Sequence, residues 1–179
     1  MRFVTRLLLA CAASVVMMHP APAAAAELSF SPADTLITTF NIFPVRVEVD
    51  AIEEIMGYNI SVTITGDPCL QIAGIVEGDL PGSGGDPTFF RWLTPGDSDS
   101  IAVNGSVLGT TVDGPGVLFT IYFKALAPGT AWLDFSYSDL RNGINESVVH
   151  AQAEPARIIV DRAIAVEEIS WGGLKSLPR

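Results

Sequence analysis

Short runs of alternating apolar and polar residues fill most of the chain after residue 26, and turn residues separate the runs. In residues 58–65, Ile60, Val62 and Ile64 fall on one side of a strand, as expected where only one side is buried. No run keeps a 3.6-residue apolar period long enough for a core helix. The pattern therefore predicts one all-β module, a sandwich or a barrel. The nine predicted strands cover residues 27–30, 41–49, 58–65, 70–76, 89–93, 100–108, 117–126, 131–138 and 157–161.

Residues 114–135 depart from strict alternation. Leu118, Tyr122 and Trp132 are large apolar side chains at positions that alternation assigns to the polar side of a strand. Such a side chain is either covered by another segment or available to a partner. These three residues are therefore the first candidates for a contact surface.

The N-terminal segment has the order of a secretory signal peptide. Arg2 and Arg6 precede an apolar run over residues 7–18, which is too short to span a bilayer, and alanines follow up to Ala26. We predict cleavage near Ala26-Glu27 and a secreted, extracellular protein. A lipoprotein signal at Cys11 is the alternative, but Cys11 comes early and the apolar sequence continues past it. The predicted divisions are a signal peptide (1–26), a folded module (27–162) and a C-terminal tail (163–179).

Charge and cysteine content restrict the function of the mature chain. Eight of the ten basic residues and all 20 acidic residues follow the leader, which gives a net charge of −12. Nucleic acid and anionic membranes are poor partners for such a surface, and no second apolar run predicts a membrane span. Cys69 is the single cysteine after the leader, so it cannot form an intrachain disulfide and is expected to be buried.

The residues needed for most catalytic sites are missing from the mature sequence. His150 is its only histidine, and the sequence contains no Ser/His/Asp arrangement, metal-ligand cluster or phosphate loop. Acidic residues crowd two loops, at Asp79 with Asp86 and at Asp97 with Asp99, but without the regular spacing of a calcium loop. We expect no enzyme activity, no cofactor and no metal.

The order of motifs resembles the cohesin family, the modules that bind dockerin domains in cellulosome-type assemblies. No single motif is specific, but the ordered set extends over roughly 130 residues. The matching segments are 42–47 with Pro44, 60–65 followed by Asp67-Pro68, 74–80 with Gly78-Asp79, 116–124 followed by Gly129-Thr130, and 158–160.

This resemblance implies a nine-stranded β-sandwich of jelly-roll topology. One sheet would hold the strands near residues 58, 89, 100 and 131, and the other would hold those near 41, 70 and 117 together with both terminal strands. Family members bind dockerins through the outer face of the first sheet. Carried over by position, the partner-binding residues are Asn59, Ser61, Thr63, Ser100, Ala102, Asn104, Trp132 and Asp134. Ser61 stands where an acidic residue is often found in the family.

The resemblance also gives each unusual apolar residue an expected place. Trp132 would lie on the binding face, unless a loop such as residues 78–87 covers it. Leu118 and Tyr122 would lie on the opposite face, under the N-terminal segment or the tail.

Three functions stay open at this stage. We expect a monomeric, non-catalytic module that binds a dockerin-like protein partner, in a polysaccharide-degrading system. The first alternative is a carbohydrate-binding module that holds polysaccharide on exposed aromatic rings of the same face, and the second is a structural spacer. In the tail, Trp171, Leu174 and Leu177 recur at intervals of three, which fits either a linear recognition signal or a disordered segment.

Overall fold

The computed structural model describes residues 26–94 and 99–162, and every regular element in these ranges is a β-strand. The strands are β1 (Ala26–Ser31), β2 (Asp34–Thr38), β3 (Ile42–Val49), β4 (Ile55–Gly66), β5 (Leu70–Glu77), β6 (Thr88–Leu93), β7 (Ser100–Val107), β8 (Gly116–Ala125), β9 (Gly129–Asn142), β10 (His150–Gln152) and β11 (Ala156–Asp161). Among the described residues there is no helix with the length and apolar character that crossing a membrane requires.

The strands form a five-stranded sheet, in the order β10-β1-β3-β8-β5, and a six-stranded sheet, in the order β2-β11-β9-β4-β7-β6. Two parallel pairs, β1 with β10 and β2 with β11, join the first strands of the module to its last ones. The other neighbours are antiparallel. The predicted all-β sandwich is confirmed, with eleven strands in place of nine.

The core lies between the two sheets and is built from the alternating apolar positions. In β3, Val45, Val47 and Val49 are buried and the residues between them are not. Phe30 of β1 and Phe135 of β9 stack across the two sheets with ring centroids 4.1 Å apart. Burial of apolar surface in this layer is the main favourable term in folding. Cys69 is buried, as predicted, and is a free thiol.

The last strand lies in a different sheet from the predicted one. β11 pairs with β9 and β2 of the six-stranded sheet, so the two terminal strands β1 and β11 belong to opposite sheets. The sequence could not distinguish these placements, because Ala156, Ile158 and Val160 would face the core from either sheet. The missed strands β2 and β10 are the two shortest, with five and three residues, and none of their side chains is fully buried.

A β-bulge explains the position of Leu118. Val47 pairs with Phe119 and Glu48 pairs with Val117, so Leu118 is an extra residue between two pairs. The expectation that Leu118 lies on an outer face is wrong, since its side chain is 1% exposed and lines a small cavity in the core with Tyr58 and Val107 of the facing sheet. Its carbonyl accepts a hydrogen bond of 3.1 Å from the hydroxyl of buried Tyr58 in the facing sheet. Tyr122 does lie on the outer face of the five-stranded sheet, between Pro44 and Gly74, and is 37% exposed.

Candidate functional site

The eight predicted partner-binding residues lie together on the outer face of the six-stranded sheet, which we call the binding face. Strand pairing sets Asn59 opposite Asn104 and Ser61 opposite Ala102, while Thr63 lies between Ser100 and Asp134. Trp132 is opposite Thr65, the next outward residue of β4. The face thus runs without interruption across β7, β4 and β9. Asn59, Trp132 and Asp134 are exposed and the other five residues are half-buried.

An aspartate turn fixes the start of β9, the strand that carries Trp132. The Asp67 backbone N–H donates to the Thr130 carbonyl at 2.9 Å, and the Asp67 carboxylate accepts the Thr130 N–H at 2.9 Å. Gly129 leaves room for this contact, because a β-carbon there would come within 2.8 Å of the Asp67 side chain. The Asp-Pro turn of the sequence therefore positions the strand of the binding face that carries Trp132.

Trp132 is 41% exposed and is not covered by a loop. Its ring lies beneath the Arg157 guanidinium, whose carbon is 5.9 Å from the ring centroid. Arg157 in turn donates from Nε to Asp34 Oδ1 at 2.9 Å. The alternative that residues 78–87 cover Trp132 is wrong, since that loop is hydrogen-bonded to Val117 at the opposite end of the sandwich. The cation–π contact holds the indole in place and leaves part of it open to a partner.

Several residues of this face were missed. Tyr137 is 49% exposed and lies opposite Ser61, because a bulge after Phe135 shifts the outward positions of β9 by one residue. Asp139 lies opposite Asn59, and Arg91 lies opposite Asn104 from the other side. The alternation of the sequence carries no signal for such a bulge, because it arises from pairing with another strand.

A cleft of about 330 Å³ opens at one end of the binding face, where Gly57 has no side chain. Arg141 donates from Nε to Asp139 at 2.7 Å and from Nη1 to the Asn145 carbonyl at 2.9 Å. The hydrogen bond from Ser147, together with Arg141, lowers the pKa of the Asp139 carboxyl. The cleft therefore offers a fixed charged pair beside the amide of Asn59.

The aromatic rings do not form the platform expected for glycan binding. In the described part of the chain, the paired rings are Phe30 with Phe135, Phe43 with Phe123 and Tyr58 with Phe119, all in the core. Tyr137 is the other exposed ring on β9. The β4 residues that pair with Tyr137 and with Trp132 are four positions apart, so the two aromatic residues are separated by about 13 Å along the strand. An indole without a second ring beside it counts against the carbohydrate-binding alternative.

The acidic loops use their carboxylates within the fold. Asp79 accepts the Val117 N–H at 3.0 Å, and Asp86 accepts the Thr110 N–H at 3.1 Å and its hydroxyl. These bonds from Thr110 lower the pKa of Asp86. Asp97 lies outside the described residues, and within them no three histidine, cysteine or acidic side chains are grouped to hold a metal ion.

The fold does bring one serine to the single histidine of the described residues. Ser138 Oγ lies 2.7 Å from His150 Nε2, and His150 Nδ1 lies 2.9 Å from the Val148 carbonyl. Gln152 also donates to Ser138 Oγ, at 2.7 Å. These bonds connect β9 of one sheet to β10 of the other, so the pair joins the two sheets at an edge of the sandwich.

Comparison with known proteins shows which of them share this architecture. No family model matches the sequence, and no curated protein is detectably similar to it. Among solved structures, a non-cellulosomal cohesin from Archaeoglobus fulgidus matches with a TM-score of 0.63 at 14% identity, covering 77% of this chain and 92% of that one. The chain has the cohesin fold. A cohesin module from a Clostridium perfringens family 33 glycoside hydrolase matches with a TM-score of 0.64 at 7% identity, over 78% of this chain and 99% of that chain.

A third cohesin-fold structure was solved together with its partner. It is a type I cohesin–dockerin complex from Clostridium thermocellum, with a TM-score of 0.62 at 12% identity, covering 76% of this chain and 99% of the matched chain. In all three comparisons the cohesin fold covers most of both chains while the sequences differ almost throughout. The architecture is thus common to these proteins although little of the sequence is.

Proposed function

We propose that this protein is a secreted, non-catalytic binding module that docks a dockerin-like protein partner through its binding face. The observation that carries the proposal is the continuous, mostly uncharged surface formed by the eight predicted residues, with Trp132 exposed at one side. Several solved proteins of the same fold are complexes with dockerins, which supports this kind of partner. A monomer acting in a polysaccharide-degrading system is part of the same proposal.

The chemistry of the face suits a protein partner. Tyrosine and tryptophan supply large contact areas at low entropic cost, and the residues that dominate binding energy are enriched in both. Trp132 and Tyr137 both lie on β9. The outward residues of β4, which separates β9 from β7, include serine, threonine and asparagine. These short polar groups bring neither a buried charge nor a long flexible chain into an interface.

Trp132→Ala is expected to weaken binding to a dockerin-bearing secreted protein of the source organism by at least about tenfold, or about 1.4 kcal/mol. Asn59→Arg should do the same by placing a long charged side chain on the face. The measurement is isothermal titration calorimetry on the mature chain, with circular dichroism to verify folding.

Tyr122→Ala is the matched control, since it removes a partly exposed ring from the outer face of the other sheet. It should leave the affinity unchanged. Equal binding by wild type, Trp132→Ala and Asn59→Arg would remove this face from consideration. Binding of soluble polysaccharide with no dockerin binding would instead favour the carbohydrate-binding alternative.

Secretion is tested by the N-terminus of the exported protein. Expression of the full chain in a bacterial host should yield a secreted form that begins near Glu27, because the small residues up to Ala26 suit signal peptidase. N-terminal sequencing and intact mass identify the cleavage position. Leu8→Arg with Leu9→Arg interrupts the apolar run and should keep the protein inside the cell. Export of that variant at the wild-type level would contradict the assignment.

A further inference from the structure

The cleft at the end of the binding face is lined by polar side chains whose charges cancel. Arg141 and Asp139 are the two charged residues of the lining, and they are paired with each other at 2.7 Å. The uncharged polar side chains that share the lining with them include Asn59, Ser106 and Asn145. The volume of about 330 Å³ lies at the lower end of the range of about 300–1,000 Å³ for ligand sites, so the cleft suits one small polar group.

The Arg141 guanidinium is held in one orientation, and part of it remains available to a ligand. Nε donates to Asp139 Oδ2 at 2.7 Å and Nη1 donates to the Asn145 carbonyl at 2.9 Å, whereas Nη2 donates to no residue in the described part of the chain. The loop that supplies this carbonyl is itself fixed, because the Asn142 side chain accepts the Glu146 N–H at 2.8 Å. A donor that is fixed before binding loses little conformational entropy when a ligand arrives.

Asp139 supplies an acceptor next to this donor. Its carboxylate accepts hydrogen bonds from Ser147 and from Arg141, and its side chain is 14% exposed. The hydrogen bond from Ser147, followed by the contribution of Arg141, lowers the pKa of this carboxyl, so it is ionised at neutral pH. Each carboxylate oxygen can accept a further hydrogen bond. A fixed donor and a fixed acceptor therefore lie side by side in the cleft.

A carboxamide matches this pair better than a charged group does. A carboxylate would meet the negative charge of Asp139, and an ammonium group would meet the positive charge of Arg141. A carboxamide has a carbonyl that accepts from Arg141 and an amide nitrogen that donates to Asp139, and it brings no charge to be buried. A sugar fits less well, because Tyr58 is the one aromatic residue among the described residues of the lining and is 5% exposed, which leaves no ring face for stacking.

We propose that the cleft is a subsite for an asparagine or glutamine side chain of the protein that docks on the binding face. The cleft and the face are continuous, because Asn59 belongs to both and Gly57 is the next outward residue of β4. The origin of the carboxamide in a docked protein rests on the proposed function, whereas the preference of the cleft for a carboxamide does not. Glycine is required at position 57, since a larger side chain there would fill part of the cleft.

Titration of the isotope-labelled mature chain with three small molecules of similar shape measures this preference. Propionamide, propionate and propylammonium are added separately, and the NMR signal of the Arg141 Nε–H group is followed. We expect propionamide to shift this signal saturably, with a dissociation constant in the millimolar range, and to bind severalfold more tightly than either ion. Gly57→Val should abolish the shift. Its β-carbon fits the strand, with the nearest atom, the Gly105 carbonyl oxygen, 3.4 Å away, and its methyl groups enter the cleft.

Gly74→Val is the matched control, because Gly74 lies on the outer face of the other sheet and a β-carbon there would meet no atom within 4 Å. It should leave propionamide binding unchanged, and circular dichroism shows whether each variant is folded. Asp139→Asn removes the negative charge and should reverse the preference, so that propionate binds more tightly than propionamide. Equal binding of the three molecules, larger shifts with glucose than with propionamide, or a persistent shift in folded Gly57→Val would overturn the assignment of a carboxamide subsite.

Calorimetry with the dockerin-bearing secreted protein separates this inference from the proposed function. Gly57→Val should weaken binding severalfold, and Gly74→Val should not. Wild-type affinity in Gly57→Val, together with the loss expected for Trp132→Ala, would overturn the subsite and leave the binding face in place. Absence of any dockerin binding by wild type would overturn the proposed function and, with it, the origin of the carboxamide in a docked protein.

Discussion

Gly105→Ala is expected to destabilise the folded protein by about 2–6 kcal/mol. Gly105 of β7 faces the core opposite Tyr58, and a β-carbon at this position would overlap the Tyr58 ring. Tyr58 is 5% exposed and donates to the Leu118 carbonyl across the sandwich, so its ring cannot move away without losing a buried hydrogen bond. Overpacking of a core costs about 1–3 kcal/mol, and an unsatisfied buried polar group about the same again.

Urea unfolding followed by circular dichroism measures this loss, and a second glycine supplies the control. Gly74 lies in β5, and a β-carbon there would meet no atom within 4 Å. Gly74→Ala should therefore change the free energy of unfolding by less than about 1 kcal/mol. In a Tyr58→Ala background the ring is absent, so Gly105→Ala should become nearly neutral. A similar cost for both alanines in the wild-type background would show that Tyr58 moves aside easily.

The same contact shows what the sequence could and could not predict. Alternation correctly assigns Tyr58 and Gly105 to the inward faces of their strands, since each is an even number of residues away from the core residues of its own strand. Alternation cannot show that the two residues face each other, because that depends on the register between β4 and β7. The need for glycine at position 105 is therefore visible only in the fold.

The candidate site was predictable to the extent that it lies on regular strands. All eight predicted residues face outward on one sheet, since β4, β7 and the first half of β9 alternate without interruption. Prediction failed at the bulges, which bury Leu118 and bring Tyr137 to the surface. It also failed for the sheet that holds β11. Both failures have the same cause, which is that side-chain periodicity describes one strand at a time and pairing involves two.

Above pH 10, the free energy of unfolding is expected to fall by about 1.4 kcal/mol for each pH unit on account of Tyr58 alone. Burial, and secondarily the charge of Glu77, raises the pKa of the Tyr58 hydroxyl far above its ordinary value of 10.0. Between the two pKa values the folded chain keeps the proton and the unfolded chain has lost it, so rising pH favours unfolding. The stabilisation is complete below pH 10 and is lost above it.

Tyr58→Phe isolates this contribution. Without the hydroxyl, the Leu118 carbonyl keeps the Gly78 N–H as a donor but loses the hydrogen bond across the sandwich, and the variant should be about 1 kcal/mol less stable than wild type at neutral pH. It should then lose less stability than wild type on alkaline titration, so that near pH 11 the two unfold at similar urea concentrations. Tyr122→Phe changes a hydroxyl on the outer face instead and should keep the wild-type slope. Parallel curves for wild type and Tyr58→Phe from neutral to alkaline pH would mean that the hydroxyl ionises in the folded chain as it does in water, and that water reaches the centre of the sandwich.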